Sequence, residues 1–259
     1  MGRTALVVAG LAGVVAASGC DVVRYNTLED GFVRPDVVTE IQVDGGGSGD
    51  IVVRGDDTVT GIDVRRKVRY RTGEAPAESA RISGGTLTLN LDCGHNCSVS
   101  YEVRLPKGAA VRGSTNSGDM RLSGVGLVDV QVDSGDITVE SATGSVRARS
   151  DSGDITLTTI GGDAIAHASS GDVTAKGLGG STNEITANSG DVTIDYAGTG
   201  SLVAEANSGD VTITLPAGQC AVTADADSGN ARVNVPTSAT GTCKVTATAD
   251  SGDVTVNAG

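Results

Sequence analysis

A three-residue phrase, Ser-Gly-Asp, returns through the second half of this chain at nearly constant intervals. The phrase or a close variant occupies residues 48–50, 117–119, 134–136, 152–154, 170–172, 189–191, 208–210, 228–230 (with Asn230 in place of Asp) and 251–253. From the second copy onward, successive copies are 17 to 23 residues apart. A fixed period of this kind is typical of solenoids, in which each repeat is one unit that cannot bury its apolar face alone.

The residues around each phrase alternate between apolar and polar. The second and fourth residues after the glycine are nearly always apolar, as in Ile137 and Val139, and the residue between them is mostly threonine, as in Thr138. The seventh and fifth residues before the glycine follow the same rule, as in Val128 and Val130. A period of two with many β-branched residues predicts strands that bury one face. Each repeat therefore predicts two short strands, which a Ser-Gly-Asp turn joins on one side and a Gly-rich turn joins on the other.

Two strands and two turns in about 18 residues predict a narrow coil. We call one turn of this coil a rung, and we expect each strand to pair with its copy in the next rung at about 4.8 Å. Because the opposite walls must approach closely, small inward side chains fit, which agrees with an aromatic content of only 2% and no Trp. The sequence thus predicts an all-β fold, a single-stranded parallel β-solenoid with rungs of about 18 residues, and we expect a right-handed coil.

The rungs are regular over residues 113–259 and irregular over 39–112. In the irregular part we expect strands at residues 41–43, 51–53, 64–70, 87–91 and 99–105, with a surface loop at 72–81. The phrase at residues 101–106, YEVRLP, parallels VTITLP at 211–216, so the solenoid is expected to begin before Asn116.

The first twenty residues have the layout of an export signal. Arg3 precedes an apolar run from Ala5 to Ala17, which is too short for an ordinary membrane-spanning helix, and small residues lead to Cys20. This layout predicts a lipoprotein signal peptide at residues 1–19, lipidation of Cys20 and a tether at 20–38. The alternative is an ordinary secreted protein in which Cys20 falls there by chance.

The other four cysteines are expected to form two disulfides, because export places them where disulfides persist. Cys93 and Cys97 would close a short loop; a zinc site there would need a fourth ligand besides these two and His95. Cys220 and Cys243 each lie nine residues before the glycine of their repeats. They therefore share a column in neighbouring rungs, about 4.8 Å apart, which suits a disulfide.

The repeated acids form the one cluster with possible chemistry. We expect a ladder of carboxylates along one corner, interrupted by Asn230: Asp119, Asp136, Asp154, Asp172, Asp191, Asp210 and Asp253. Beside it runs a second polar column: Asn116, Asp133, Asp151, Ser169, Asn188, Asn207, Asp227 and Asp250. Bonds to turn N–H groups are the structural explanation for the ladder. Calcium, which takes 6–8 oxygen ligands, is the alternative, and no other cofactor is expected.

The remaining charged and titratable residues give little sign of catalysis or of nucleic-acid binding. Residues 113–259 carry a net charge of −12 against −1 for residues 1–112. The acidic second half argues against nucleic acid and against anionic lipid surfaces as partners, because both attract cationic faces. His167 is expected to face solvent. The identical acids offer no unique carboxylate pair of the kind that glycosidases use, so we expect no enzyme. The basic run Arg65–Arg71 is interpreted as a strand with Val68 and Tyr70 inward and its arginines outward, or as a surface for anionic cell-wall polymer or lipid headgroups.

The Asx-Ser-Gly-Asp repeats, the YEVRLPKGA segment and the Cys93–Cys97 pair together resemble a bacterial β-strand-repeat family labelled "putative adhesin", over roughly residues 40–259. The resemblance implies an extracytoplasmic β-solenoid and supplies no catalytic residues. We therefore expect a lipoprotein of the cell envelope, anchored in the membrane, that acts as a non-catalytic binding, adhesion or structural module and contacts cell-wall polymer or another envelope protein. The alternatives are a calcium-binding or envelope-stress-sensing accessory protein and a polysaccharide-active β-helix enzyme.

Overall fold

The described part of the chain folds into two β-sheets around one apolar core. The computed structural model describes residues 25–71, 76–77 and 79–259, so the predicted signal peptide and Cys20 lie outside the described residues. There the chain forms 23 strands in sheets of 12 and 11 strands, which we call sheet 1 and sheet 2. Nothing helical in these ranges is long and apolar enough to span a bilayer. The prediction of an all-β, largely parallel solenoid is confirmed.

The strands that precede the regular repeats are β1 Asn26–Arg34, β2 Glu40–Asp44, β3 Ile51–Gly55, β4 Ile62–Tyr70, β5 Ala80–Ser83, β6 Thr86–Asn90 and β7 Cys97–Leu105. The strands of the regular repeats are β8 Ala110–Ser117, β9 Met120–Ser123, β10 Val128–Ser134, β11 Ile137–Ala142, β12 Val146–Ser152, β13 Ile155–Ile160, β14 Ala164–Ser170, β15 Val173–Leu178, β16 Thr182–Ser189, β17 Val192–Asp195, β18 Ser201–Ser208, β19 Val211–Leu215, β20 Cys220–Ser228, β21 Ala231–Val233, β22 Cys243–Ser251 and β23 Val254–Ala258.

From β8 to β19 the rungs stack in the order of the sequence, and we call this part the shaft. Each strand pairs in parallel with its copy in the next rung: Val130 lies opposite Gly113 on one side and Ala148 on the other. The positions expected to face inward are nearly all buried, most of them fully. The columns read from the sequence are therefore the walls of the core in this region.

At the C-terminal end the order changes. Strand β22 pairs with both β18 and β20, and β23 pairs with both β19 and β21. The last rung of the sequence, β22–β23, thus lies between β18–β19 and β20–β21. The expectation that each rung stacks on the one before it in the sequence is wrong here. The physical reason lies in the inward side chains. Val254 and Val256 of β23 are fully buried inside, whereas β21 offers the smaller Ala231 and leaves Val233 43% exposed.

The N-terminal end shows the same exchange. The first rung, β2–β3, lies between β8–β9 and the later rung β6–β7. Three antiparallel pairings then extend the sheets beyond β6–β7: β5 joins β6, β4 joins β7 and β1 joins β4. Strand β1 lies within residues 20–38, so the predicted tether is wrong over Asn26–Arg34. Its alternation is weak, and its partner β4 begins 28 residues after β1 ends.

Candidate functional site

The Ser-Gly-Asp turns stack along one corner, and each carboxylate contacts the next turn. One carboxylate oxygen, Oδ1, accepts the backbone N–H of the following residue in the ladder at 2.8–3.1 Å. The spatial order is Asp50, Asp119, Asp136, Asp154, Asp172, Asp191, Asp210, Asp253 and Asn230. Because the last two rungs exchange places, Asn230 ends the ladder. The prediction that Asn230 interrupts it is wrong.

The glycine of this turn is required both by its backbone conformation and by space. Gly135 has φ of +146° and Gly171 has φ of +150°, where side chains are strongly disfavoured. A Cβ atom at Gly135 would lie 2.3 Å from the carbonyl oxygen of Gly118 in the preceding rung, and Gly171 has the same clash with Gly153. The turns can therefore stack only if this column is glycine.

The last step of the ladder differs from the others. Asn230 donates both its backbone N–H, at 2.9 Å, and its side-chain amide, at 3.2 Å, to Oδ1 of Asp253. The backbone bond is the largest cause that holds the pKa of Asp253 below its ordinary value, followed by the amide, with a smaller contribution from Arg232. A carboxylate at position 230 would have no further rung to supply an N–H, so an amide suits the end of the ladder.

These contacts give the carboxylates a structural role in the turns. Across the described residues, no three His, Cys, Asp or Glu side chains converge into a group that could hold a metal ion. The second polar column, which runs from Asn116 to Asp250 and Asp227, is mostly exposed beside the ladder. Calcium binding along this corner stays a prediction.

A row of threonines lies on the outer face of sheet 1, next to the ladder. Its members occupy one register position in successive strands: Thr138, Thr156, Thr174, Thr193, Thr212 and Thr255. Arg121 lies beside one end of the row and Arg232 beside the other. The side chains are half-buried or exposed, so their hydroxyl and methyl groups repeat about every 4.8 Å along an open surface. We call this surface the threonine row.

The structure contains both expected disulfides. Cys93 and Cys97 close a short loop with a Cα–Cα distance of 6.0 Å, and His95 is exposed within it. Cys220 and Cys243 lie opposite each other in β20 and β22 at 4.5 Å, and each is 2% exposed. His167 lies on the outer face of sheet 2, where Nδ1 is 2.8 Å from the hydroxyl of Thr186.

The N-terminal end contains a charged residue that the sequence interpretation placed wrongly. Arg66 faces inward with 3% exposure, so the expectation that every arginine of Arg65–Arg71 faces outward is wrong. Its guanidinium contacts both carboxylate oxygens of Asp30, at 2.8 and 2.5 Å, and donates to the carbonyl of Ala77 and the hydroxyl of Ser79. Asp30 lies 36 residues away in a strand that the sequence did not predict, so no local pattern could reveal the pair.

Tyr101 extends this cluster into the core. Its hydroxyl lies 2.5 Å from that of Ser79 and donates to the carbonyl of Asn90 at 3.1 Å. Burial is the main cause that raises the pKa of Tyr101. Together, Arg66 and Tyr101 hold the segment around Ala77 and Ser79 beside the first rungs. Of the predicted surface loop at 72–81, the described residues Ala77 and Ser79 thus contact the fold, and Ala80 and Arg81 begin β5.

A groove of about 990 Å³ crosses the outer face of sheet 1 at this end, over β1, β4, β7 and β3. Val33, Val52 and Gly31 contribute apolar surface to it. Ion pairs lie along it, including Lys67 with Glu29 at 3.4 Å. This groove was not predicted, because its strands come together only through the antiparallel pairings.

The model of the Toastrack DUF4097 family matches residues 100–258, which include the shaft, the ladder from Asp119 to Asn230 and both exchanged C-terminal rungs. The chain belongs to this family. The function of the family is unknown. The match begins within β7, so β1, β4 and Arg66 lie outside the matched Toastrack residues. Of the groove lining, Ser100, Tyr101 and Glu102 lie inside the match and the other residues lie outside it.

Two solved structures are similar to this Toastrack protein, and both come from bacteria. One is described as a "putative adhesin" from Bacteroides fragilis, with 14% identity and a TM-score of 0.50 over 91% of this chain and 97% of that chain. The other is described as a "putative cell adhesion protein" from Clostridium sporogenes, with 12% identity and a TM-score of 0.27 over 90% of this chain and 100% of that chain. No curated protein matches the chain. At this level of identity the first likeness shows a shared fold alone.

Proposed function

We propose that this Toastrack protein is a non-catalytic binding module of the cell envelope, anchored on the extracytoplasmic side of the membrane by lipid on Cys20. The adhesin description of the similar Bacteroides fragilis structure supports a binding role. The signal layout of residues 1–20 supports the anchor.

The observation that carries the proposal is the threonine row. A surface that repeats the same group at a fixed interval suits a ligand that also repeats, and hydroxyl groups suit a polyhydroxylated polymer because they both donate and accept hydrogen bonds. The row lies in six successive strands of a rigid sheet, so its groups are held in place before binding. Cell-wall polysaccharide is the partner that this surface fits best.

Binding of the full chain to insoluble cell-wall material tests the proposal. We expect saturable binding by the wild-type protein and loss of most of it in Thr156→Arg/Thr174→Arg, which places bulk and charge on the row. The matched control is His167→Arg/Thr186→Arg on the outer face of sheet 2, which should bind like wild type. Equal loss in both variants, or no saturable binding by the wild type, would refute a role for the threonine row.

Two further measurements address the anchor and the enzymatic alternative. Mass spectrometry of the mature N-terminus should find acyl groups on Cys20, and an unmodified N-terminus further along the chain would refute the anchor. An enzyme would lose turnover when one acid is changed and keep it when a neighbour in the ladder is changed. We expect no such difference between Asp154→Asn and Asp172→Asn, because both carboxylates make the same turn contact.

A further inference from the structure

The charge of the described chain is divided between its two ends. We call residues 25–38, 62–71, 76–77 and 79–83 the basic end. Its net charge is +3, or +1 when Glu74 and Glu78 between these ranges are counted, whereas residues 113–259 carry −12. Its cations are Arg34, Arg65, Arg66, Lys67, Arg69, Arg71 and Arg81, and its acids are Glu29, Asp30, Asp36 and Asp63. The basic end therefore attracts anions that residues 113–259 repel.

Most of these cations are available to a partner. Arg66 is internal, and Lys67 and Arg65 make exposed ion pairs, which are weak in water. The other four arginines are exposed and have no carboxylate within ion-pair distance among the described residues: Arg34, Arg69, Arg71 and Arg81. Arg69 lies over the ring of Tyr25 and Arg34 over that of Phe32, so charge and apolar surface lie together.

The same end also exposes apolar side chains. Among the described residues, four large hydrophobic side chains are exposed, and three of them belong to the basic end: Tyr25 at 47%, Val33 at 76% and Val37 at 74%. The fourth, Val233, is at the opposite end. Cations mixed with aromatic and aliphatic groups are typical of surfaces that lie at a membrane interface.

The chain length before Tyr25 brings this surface close to the proposed anchor. Cys20 precedes Tyr25 by five residues, which span at most about 17 Å. Strand β1 is the outermost strand of sheet 1, and eleven strand spacings, about 50 Å, separate it from β21. An anchor at Cys20 would therefore hold the basic end at the membrane surface and leave the other end far from it.

We propose that the basic end contacts the anionic headgroups of the membrane that holds the Cys20 lipid, while the acidic shaft projects away from that membrane. This rests on the lipid anchor of the proposed function. It goes further in naming the surface that meets the membrane and the charge of the lipids that it prefers.

A single tryptophan reports the orientation, because the chain contains none. The full lipidated chain is reconstituted into vesicles that carry a headgroup quencher, with phosphatidylglycerol present or absent. We expect Val33→Trp to be quenched at least about twofold more in the anionic vesicles, and Val233→Trp to be quenched little in either. Equal quenching of the two tryptophans, or quenching of Val33→Trp that ignores lipid charge, would overturn the proposal.

Charge reversal supplies the matched control. In the Val33→Trp background, Arg69→Glu/Arg71→Glu should abolish the extra quenching in anionic vesicles. Arg147→Glu/Arg149→Glu makes the same change on exposed arginines of the shaft and should leave the quenching unchanged. If soluble polyglycerol phosphate shifts the emission of Val33→Trp and anionic vesicles do not, the surface binds cell-wall polymer and the proposal is wrong.

A failure of the anchor can be separated from a failure of the surface. If Cys20 carries no acyl group, its thiol can be coupled to a maleimide lipid, because the other four cysteines are in disulfides. Charge-dependent quenching of Val33→Trp in that preparation would support the surface without the natural anchor. Its absence there would refute the surface as well.

Discussion

The two ends of the solenoid protect their exposed sheet edges with different chemistry. At the N-terminal end the first rung in the sequence, β2–β3, is covered by the later rung β6–β7. At the C-terminal end the last rung, β22–β23, is covered by the earlier rung β20–β21. The N-terminal end adds β1, β4 and β5 and a buried ion pair between Arg66 and Asp30. The C-terminal end adds no strand and joins its outer rung to the inserted one through Cys220 and Cys243.

The difference shows how an exposed sheet edge can be protected in two ways. Antiparallel strands and a polar cluster cover the N-terminal end. At the C-terminal end, the Cys220–Cys243 disulfide holds the outer rung, and the edge strand β21, with only three residues, offers little backbone for pairing with another chain. The outermost rung also departs from the repeat, with Asn230 in place of Asp and Arg232 in place of Thr. The first change weakens the contact to a further rung, because an amide oxygen accepts an N–H less strongly than a carboxylate does.

Loss of the C-terminal disulfide should have the largest effect. Cys220→Ser/Cys243→Ser removes a bond between residues 23 apart, and we expect a loss of about 3 kcal/mol in the free energy of unfolding. Cys93→Ser/Cys97→Ser, with a separation of 4, is the control and should lose about 2 kcal/mol. Denaturant unfolding measures both. A smaller loss at the C-terminal pair than at the control would mean that packing alone holds the outer rung.

The buried ion pair should come next. Arg66→Met leaves the carboxylate of Asp30 without its partner. We expect a loss of about 2–3 kcal/mol in the free energy of unfolding, below the usual range of about 3–5 kcal/mol because Asp30 keeps 34% exposure. Arg65→Met on the same strand should change the stability by less than about 0.5 kcal/mol. Adding Asp30→Leu to Arg66→Met should recover part of the loss. If it lowers the stability further, the pair does not act through the unpaired charge.

The two buried tyrosines allow a finer comparison of the N-terminal end with the shaft. Tyr101→Phe removes two hydrogen bonds and should lose about 1–2 kcal/mol. The hydroxyl of Tyr196 makes no hydrogen bond of good geometry among the described residues, although Asn183 and Gly200 lie close enough to oppose the rise that burial causes in its pKa. Tyr196→Phe should therefore be neutral or slightly stabilising in thermal unfolding. Equal losses of stability in Tyr101→Phe and Tyr196→Phe would mean that the hydroxyl of Tyr196 has a hydrogen-bond partner.

The end of the ladder predicts a small dependence on pH. The pKa of Asp253 is lowered in the folded state. Its contribution to the stability of the fold is therefore fully present above the unfolded pKa of 3.8 and disappears as pH falls through the lower folded pKa. Asp253→Asn should lower the melting temperature at pH 7 and match wild type in strong acid. Asp227→Asn, an exposed acid of the second column, is the control. If the melting temperatures of Asp253→Asn and wild type still differ below both the folded and the unfolded pKa of Asp253, the effect is due to packing.

Calcium should have the smallest effect. If the carboxylates serve the turns alone, about 5 mM calcium, above the range of weak extracellular sites, should leave the melting temperature where the same concentration of magnesium leaves it. A rise that calcium causes and magnesium does not would favour the calcium-binding alternative. Loss of that rise in Asp172→Asn would then place the ion on the ladder.

The sequence alone was sufficient for much of this architecture. The period, the alternation around Gly135 and the Ser-Gly-Asp phrase predicted the rungs, the inward columns and the stacked carboxylates, because a repeat that buries one face must pair with its own copies. The shared column of Cys220 and Cys243 predicted their disulfide for the same reason. These features depend on side-chain period and register, which are written locally in the chain.

Only the tertiary structure decided the order of the terminal rungs and the construction of the N-terminal end. The rungs of β20–β21 and β22–β23 have nearly the same pattern, so the period cannot tell which rung lies outside. Val254 of β23 is larger than its counterpart Ala231 of β21, which favours the inner place for β23. The pairing of Arg66 with Asp30, and the strand that carries Asp30, depend on contacts between segments far apart in the chain. The local alternation of apolar and polar residues cannot predict such contacts, because they stabilise the protein only once the distant segments pack together.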